Sequence, residues 1–490
     1  MSGQKILAGG HWQQGSGDLI RSINPADGSL IDEFPGSSVA DVDCAVAAGK
    51  AAMSSAAWRK LKPHERARFL YRIADGIQAA KDQLSALQTL DTGKTLLETG
   101  ALVESAADTF RYMAAALETL EDELTPPRGD YLTMSIHESI GVVGAITPWN
   151  SPIASDAQKV APALAAGNAV LLKPAEWSSL VALELGRIAM DAGLPAGLLS
   201  VLPGRGSVVG ARIVEHPDVR KVSFTGGTST GRRIAAAAAQ KLMPVSLELG
   251  GKSPTIVFPD ADLEHAISGI MYGIFSSTGQ SCIAGSRLFV ARALYREFID
   301  RLVARTKELK VGLPMDPGTQ VAPMISREQR DSVARYVDRA RSEGARVLCG
   351  GRAPEGSPYT KGAFYLPTIL DGLDNRATVC QEEIFGPVLV ALPFDDEDDL
   401  VTQANDTVFG LAAGIWTTDY KRAYRIARRL DAGTIWVNTY KQLSISTPFG
   451  GFKESGVGRE KGRDGLRAYM QQKSLYWGLN DEPLPWGAIR

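Results

Sequence analysis

The chain has 490 residues, more than one hydrophobic core usually supports, so two or three domains are expected, each with ample apolar surface to bury. With 53 basic against 55 acidic residues its formal net charge is −2, and the charges are spread along the chain, which argues against a nucleic-acid partner. Four cysteines (Cys44, Cys282, Cys349, Cys380) without a CxxC pair, and five histidines without HxxxH or HExxH spacing, support neither a disulfide framework nor a metal site.

The opening MSGQKILAGGHWQQG has no basic segment leading into an apolar one, and no apolar run approaches the roughly 18 residues of a membrane span. No membrane partner and a cytoplasmic location are therefore expected. Short β-like pieces broken by Asn-Pro and Asp-Gly come first, followed by Ala-rich helical segments from about Asp41 to Glu121. From Ile140 the pattern changes to apolar bursts, IGVVGAIT, NAVLLK, LLSVLP and KVSFTG, each closed by a Gly- or Pro-marked turn and a helical stretch. Strands alternating with helices predict a parallel sheet built by crossovers. After Gly250 the cycle restarts with PTIVF, SRLFV and RVLCG, interleaved with helices beginning at Leu263, Leu294 and Arg327. A second α/β unit follows, with a boundary near 250.

Four segments place a reactive or amide-bearing side chain among small residues: TPWN at 147–150, LELGGKSP at 247–254, GQSCIAGSR at 279–287 and EEIFGPV at 382–388. Free cysteine is commonly a small buried hydrophobe. Cys282, however, sits in a polar, glycine-rich turn where a core position would be aliphatic, and little side-chain bulk guards its thiol and the local N–H groups. It reads as a nucleophile. Cys44 in DCAVAA and Cys349 in VLCGG read as packing, and Cys380 in TVCQEE as core or surface. Glu248 lies in an apolar stretch where an unpaired charge is costly; it is either a water-facing strand residue or a general base whose pKa is lifted by partial burial.

Three motifs are set aside. GTSTG at 227–231 matches the GxSxG elbow of serine hydrolases, the runner-up reading, but that fold needs a histidine after the serine and only His265, inside a helix-like segment, is left. GGKS at 250–253 would need Gly at 246 to be a phosphate-binding loop, and Ser246 stands there. GRGSVVG at 204–210 has dinucleotide-like glycine spacing but reads better as a helix-capping loop.

Over essentially its whole length the chain resembles the aldehyde dehydrogenase superfamily, in motif order and close to its spacing. The resemblance is carried by PWN at 148–150, KPAE at 173–176, FTGGTSTG at 224–231, LELGGKSP, GQSCIAGSR, EEIFGPV, WVN at 436–438 and PFGGFKESGVGRE at 448–460. It implies a Cys282 nucleophile that adds to an aldehyde to give a thiohemiacetal, then a thioester. Asn150 and the Cys282 backbone N–H hold the developing oxyanion, and Glu248 activates the hydrolytic water. Lys159 and Glu460 match proton-relay positions.

The implied cofactor is NAD, with NADP the second choice, because Lys173 and Glu176 match ribose-binding positions where a carboxylate repels a 2′-phosphate. Gly226 and Gly227 match the pyrophosphate turn, Glu383 and Phe385 the nicotinamide ribose and ring contacts, and Ile146 and Trp149 the walls between. The implied fold is α/β, with a dinucleotide-binding domain from 1–122 and 142–249 and a catalytic domain from 250–449. A small oligomerisation sheet from 123–141 and 468–490 completes it and suits a homodimer or homotetramer. Aligned on PWN, the substrate pocket takes Ser151, Ser155, Asp156 and Gln158 from one wall and Tyr440, Lys441, Leu443, Ile445 and Phe449 from the other. This polar lining suggests a hydroxylated, amino or semialdehyde-acid substrate, with a broad-specificity aliphatic or aromatic aldehyde as the alternative. Lys441 would attract a carboxylate and Asp156 a cation, and the two point to different substrates. Passing the thioester to coenzyme A, or a catalytically silent role, are the remaining alternatives; the Cys282, Glu248 and Asn150 set argues against both.

Overall fold

The computed structural model describes residues 5–482 and Trp486; the remainder of the expected 468–490 segment and residues 1–4 lie outside the described residues. Five parallel strands form the centre of the first sheet: Val142–Ile146, Ala169–Lys173, Leu199–Val201, Val219–Thr225 and Val245–Glu248. All but a few of their residues are buried, as strands covered by helices on both faces require. Numbered in chain order they stand 3-2-1-4-5 across the sheet, so the winding reverses between Val142–Ile146 and Val219–Thr225. Crevices at such reversals, beyond the carboxyl ends of the strands, are where open α/β sheets bind ligands. Helices Pro63–Ala79 and Leu96–Glu118 pack with Pro152–Ala165 over one face. Thr95 and Glu98 close a reciprocal cap at the start of the second of these, supplying acceptors to otherwise orphaned N–H groups.

A second sheet carries Pro254–Val257, Arg287–Ala291, Val388–Phe394, Thr368–Asp371, Ala412–Trp416 and Thr434–Val437 in parallel. Arg346–Cys349 lies antiparallel at its edge. The predicted helices appear as Leu263–Phe275, Arg292–Lys307 and Arg327–Ser342. A third, antiparallel sheet sets Tyr131–Ser139 between Glu123–Thr125 and Met470–Gly478, running from the Met470–Ser139 pair to the Gly478–Tyr131 pair. After Phe449 the chain returns to the first body, where Gly456–Val457 adds to the edge beside Val245–Glu248, and Leu466 and Tyr469 join the core. Among the described residues no helix is long and apolar enough to cross a membrane.

Cys44, expected to pack, is exposed on the Val39–Ser54 helix, because the alanines around it already supply the buried stripe. Arg287, the last residue of GQSCIAGSR, is fully buried. Its guanidinium donates to the Lys252, Gln403 and Ala404 carbonyls and to Asn375, tying the Arg287–Ala291 strand to two loops and to the end of the Glu397–Asn405 helix. Arg287→Ala strands those acceptors without donors, and chemical denaturation should register a loss of roughly 3–5 kcal/mol.

Candidate active site

Glu248 ends the last strand of the first sheet and Pro254 begins the first strand of the second, so residues 249–253 are the crossing between the two bodies. The crossing runs unusually close to other backbone. A Cβ on Gly251 would stand 2.3 Å from the Cys282 carbonyl oxygen, and one on Gly250 would stand 2.4 Å from the Glu383 carboxylate. The Gly251 N–H donates to Glu383 Oε1 at 3.0 Å. Glu248, Cys282 and the Glu383 carboxylate of EEIFGPV are therefore gathered around two glycines.

The turn before Cys282 is strained. Ser277 and Thr278 take φ of 57° and 53°, and Gly279 follows at 68°. Left-handed backbone at ordinary residues costs roughly 1–3 kcal/mol each and persists only where the surroundings impose it. Here Glu98 accepts from the Ser277 N–H, Thr278 Oγ1 donates to the Ala322 carbonyl, and Gln280 Oε1 accepts from the Ile325 N–H. From the first body, Asn150 Nδ2 donates to the Gln280 carbonyl at 3.0 Å, bringing its amide beside the nucleophile turn.

One cavity of about 300 Å³ is lined by Asn150, Glu248 and Cys282 together with Pro148, Trp149, Gly226, Gly227, Glu383 and Phe385. The Trp149 ring meets Phe385 edge-on at 5.1 Å and Trp177 at 5.9 Å. At the outer end Lys173, on its buried strand, lies 4.0 Å from Glu176, whose Oε1 accepts the Gly206 N–H at 2.7 Å. Gly206 begins the helical stretch that GRGSVVG caps. Gly227 caps the Thr228–Ala239 helix with open space where a side chain would be, and Ile146 closes its strand just inside. A helix N-terminus and glycine cradle beside Trp149, Glu383 and Phe385 suit a dinucleotide.

Glu248 is 4% exposed and neither carboxylate oxygen has a protein partner. Burial, then the nearby Glu460 charge, holds its pKa well above the usual carboxylate range. Glu460 is itself ion-paired with Lys159, accepts from Ser223 Oγ at 2.8 Å and takes the Gln158 amide. Glu383 is pushed up to about 7, chiefly by burial. Burial, followed by the charges of Glu383 and Glu248, pushes the Cys282 thiol up to about 12.

The substrate side differs from the sequence expectation in two places. Asp156 is 0% exposed, turned inward toward Thr147 and Lys159 on the buried face of its helix, and burial pushes it up to about 7. Tyr440 is 2% exposed; its ring fills a slot left by Gly273, Gly285 and Gly414 and lies 4.8 Å from the Trp436 ring. Neither forms pocket wall. Ser151 and Ser155 are half-buried and bonded to each other at 3.0 Å. Phe449 packs with Ile283 against Cys282, Lys441 and Ile445 are half-buried and Leu443 is exposed. The hydrolase alternative fails on geometry: Ser229 is exposed and makes no hydrogen bond to a histidine among the described residues, while His265 stacks edge-on against Trp416. The sequence reading missed Ser223, Gln280 and Glu98. Ser223 was visible as a lone hydroxyl in an apolar strand and Glu98 as a helix cap, but their reach across 237 and 179 positions carries no local mark.

A thiol raised this far is protonated below its pKa, so without cofactor iodoacetamide should alkylate Cys282 slowly at pH 7 and progressively faster through pH 9. Gly279→Ala, whose Cβ would meet the Gly386 carbonyl oxygen at 2.1 Å, should abolish turnover and lower the melting temperature.

The aldehyde dehydrogenase family model matches residues 12–475. A betaine aldehyde dehydrogenase of Mesorhizobium japonicum is 43% identical over 465 residues, 95% of each chain. Among solved structures, the NAD+ complex of an aldehyde dehydrogenase from Bacillus cereus superposes with a TM-score of 0.95 at 38% identity, covering 97% of each chain. Betaine aldehyde dehydrogenase from Staphylococcus aureus, also with NAD+, gives 0.97 at 34% identity over 99% of this chain and 97% of that one. With motifs, fold and crevice all in agreement, the chain belongs to the aldehyde dehydrogenase family.

Proposed function

We propose that this protein oxidises a polar aldehyde to its carboxylic acid, with NAD as the hydride acceptor and Cys282 as the nucleophile. The observation that carries the reading is that Cys282, Glu248 and Asn150, from separate parts of the chain, line one cavity. Bound along the crevice, the oxidised nicotinamide supplies the acceptor for the hydride leaving the aldehyde carbon. Glu176 favours a free 2′-hydroxyl over a 2′-phosphate, which sets NAD before NADP.

Cys282, once deprotonated, adds through sulfur to the carbonyl carbon and the oxygen takes up the negative charge. The second N–H of the Asn150 amide and the Cys282 backbone N–H are free to receive that oxygen, each donor contributing roughly 3–4 kcal/mol in comparable sites. When the carbonyl re-forms, the C–H bond breaks with its electron pair and a thioester remains on Cys282. Glu248 then takes a proton from water, the hydroxide adds to the thioester, and the C–S bond breaks to release the carboxylic acid and the thiolate. Lys159, Ser223 and Glu460 form a buried polar path behind Glu248 on which that proton can move outward. The betaine aldehyde relatives support a polar substrate.

Homodimer or homotetramer assembly belongs to the same proposal. Met470–Gly478 is a sheet edge with an unpaired side, flanked by exposed Tyr476 and Trp477, and such edges invite pairing. Sedimentation at micromolar concentration should show two or four subunits; a stable monomer would contradict this.

NADH formation tests the chemistry. Cys282→Ala should abolish it with every aldehyde, and Asn150→Ala should lower kcat about 10²–10³-fold. Because the pKa of Glu248 is raised, its basic form accumulates only above the ordinary carboxylate range. Where hydrolysis limits turnover, kcat should therefore climb with pH above the ordinary carboxylate range; Glu248→Gln should remove that limb, and Glu460→Gln, by deleting a like charge, should move it to lower pH.

A further inference from the structure

We infer that the aldehyde mouth selects substrates carrying a carboxylate remote from the aldehyde, through the ammonium groups of Lys441 and Lys461; this rests on the aldehyde-oxidising reading above. Lys441, half-buried, donates to Ser276 Oγ at 2.8 Å and stands 6.0 Å from the Tyr272 ring centre. Lys461, also half-buried, stands 5.6 Å from the ring centre of Phe449, the residue packed against Cys282. Ser276 opens the strained turn that leads to Cys282, and Phe449 packs against Cys282, so these contacts bring both side chains to the surroundings of the reacting sulfur.

The acidic groups of this wall are already committed. Glu98 accepts from the Thr95 N–H and hydroxyl and from the Ser277 N–H, with Lys94 beside it. Glu460 is paired with Lys159, and Glu248 is buried with a raised pKa. Lys461 enters no ion pair among the described residues. Lys441 and Lys461 are left without a carboxylate in an ion pair among the described residues, and Asp156, which could have welcomed a cation, is sealed inside.

The aromatic surfaces lead to the same conclusion. A quaternary or primary ammonium substrate is held best over open ring faces. The Tyr272 and Phe449 rings each already have a lysine ammonium nearby, and the helix after PWN offers Ser151, Ser155 and Gln158 in place of rings. Burial and then the like charge of Lys94 draw Lys441 down to about 7, so an arriving anion restores its proton while an arriving cation drives it off. The substrate class is a short semialdehyde acid and the product a dicarboxylic acid, a preference opposite in charge to the one named for the betaine aldehyde relatives.

Steady-state NADH formation by the purified protein tests this with succinic semialdehyde, its neutral analogue butanal, 3-aminopropanal and betaine aldehyde. Expected is a kcat/KM for succinic semialdehyde at least about tenfold above the other three. In Lys441→Met and Lys461→Met the ratio of succinic semialdehyde to butanal should fall about tenfold, mainly through KM, whereas Lys441→Arg should keep it. A wild-type preference for either cationic aldehyde, or variants that slow succinic semialdehyde and butanal in proportion, would overturn the inference. Calorimetry with succinate reads the anion site without turnover: binding lost in the double methionine variant supports it, and no binding to the wild type overturns it. Absence of NADH from all four aldehydes, with succinate still bound, would instead reject the oxidation reading.

Discussion

The close approach of backbone at Gly250 and Gly251 is the constraint on which the site depends. The chain leaves one sheet at Glu248 and enters the next at Pro254, and between them it must slide past the Cys282 carbonyl and under the Glu383 carboxylate with no room for a Cβ. A side chain at Gly251 would force backbone at Cys282 to shift, and one at Gly250 would displace the Glu383 carboxylate. Hydrogen bonds from Gly251 to Glu383 and from Asn150 to the Gln280 carbonyl then fix the approach from both sides. Reaction geometry tolerates errors of only a fraction of an ångström, so a site divided between two bodies needs such a rigid seam.

The same closeness creates an electrostatic problem that the protein solves by neutrality. Three carboxylates, Glu248, Glu383 and Glu460, and one thiol share a region with little water. Among the described residues only Glu460 has a direct cationic partner, Lys159. The others stay protonated further up the pH scale, Glu383 to about 7 and Cys282 to about 12, mainly because burial leaves the ionised form unsolvated, with the charges of Glu383 and Glu248 adding to this at Cys282. A resting site of this kind protects the thiol from stray electrophiles. On the proposed reading, a cationic nicotinamide bound in the crevice would favour the Cys282 thiolate, and Glu248 once deprotonated would accept a proton from water.

The architecture and the cluster of motifs were legible because their signals are local. Apolar bursts such as VVGAI and AVLLK need burial on both faces, and a cysteine among Gly, Ser and Gln has no packing rationale. Four strands of the second sheet, from Thr368–Asp371 to Thr434–Val437, went unnamed: the apolar runs of TILD and TIWV are short, and those of VLVALPF and AAGIW are broken by Pro393 and Gly414. The misplaced side chains have a common cause. Tyr440 was judged by its place in the segment taken as the second pocket wall, yet three glycines distant in sequence make the slot that buries it. Asp156 was judged by its place after PWN, yet the helical turn points it at Lys159 three residues on. Cys44 was judged apolar by its alanine neighbours, although a helix with that many small residues has stripe to spare. Each error concerns direction, which a one-dimensional pattern holds only when the period is strong.

Polarity of sequence and polarity of pocket also separate on the substrate side. Of the helix residues that made the tunnel look hydrophilic, Gln158 spends its amide on Glu460, and Ser151 and Ser155 satisfy one another. What these residues contribute to recognition is mainly the room left by missing bulk. Charge selectivity then falls to groups with unspent hydrogen-bonding capacity, and on this side those are lysines contributed by segments near the end of the second body and beyond it. Lys441 and Lys461 both have positive φ, 55° and 61°, so each sits at a tight turn that fixes where its long side chain starts. A flexible ammonium on a fixed stem can follow a carboxylate over several ångströms, which lets one mouth accept semialdehyde acids of more than one length while still rejecting cations.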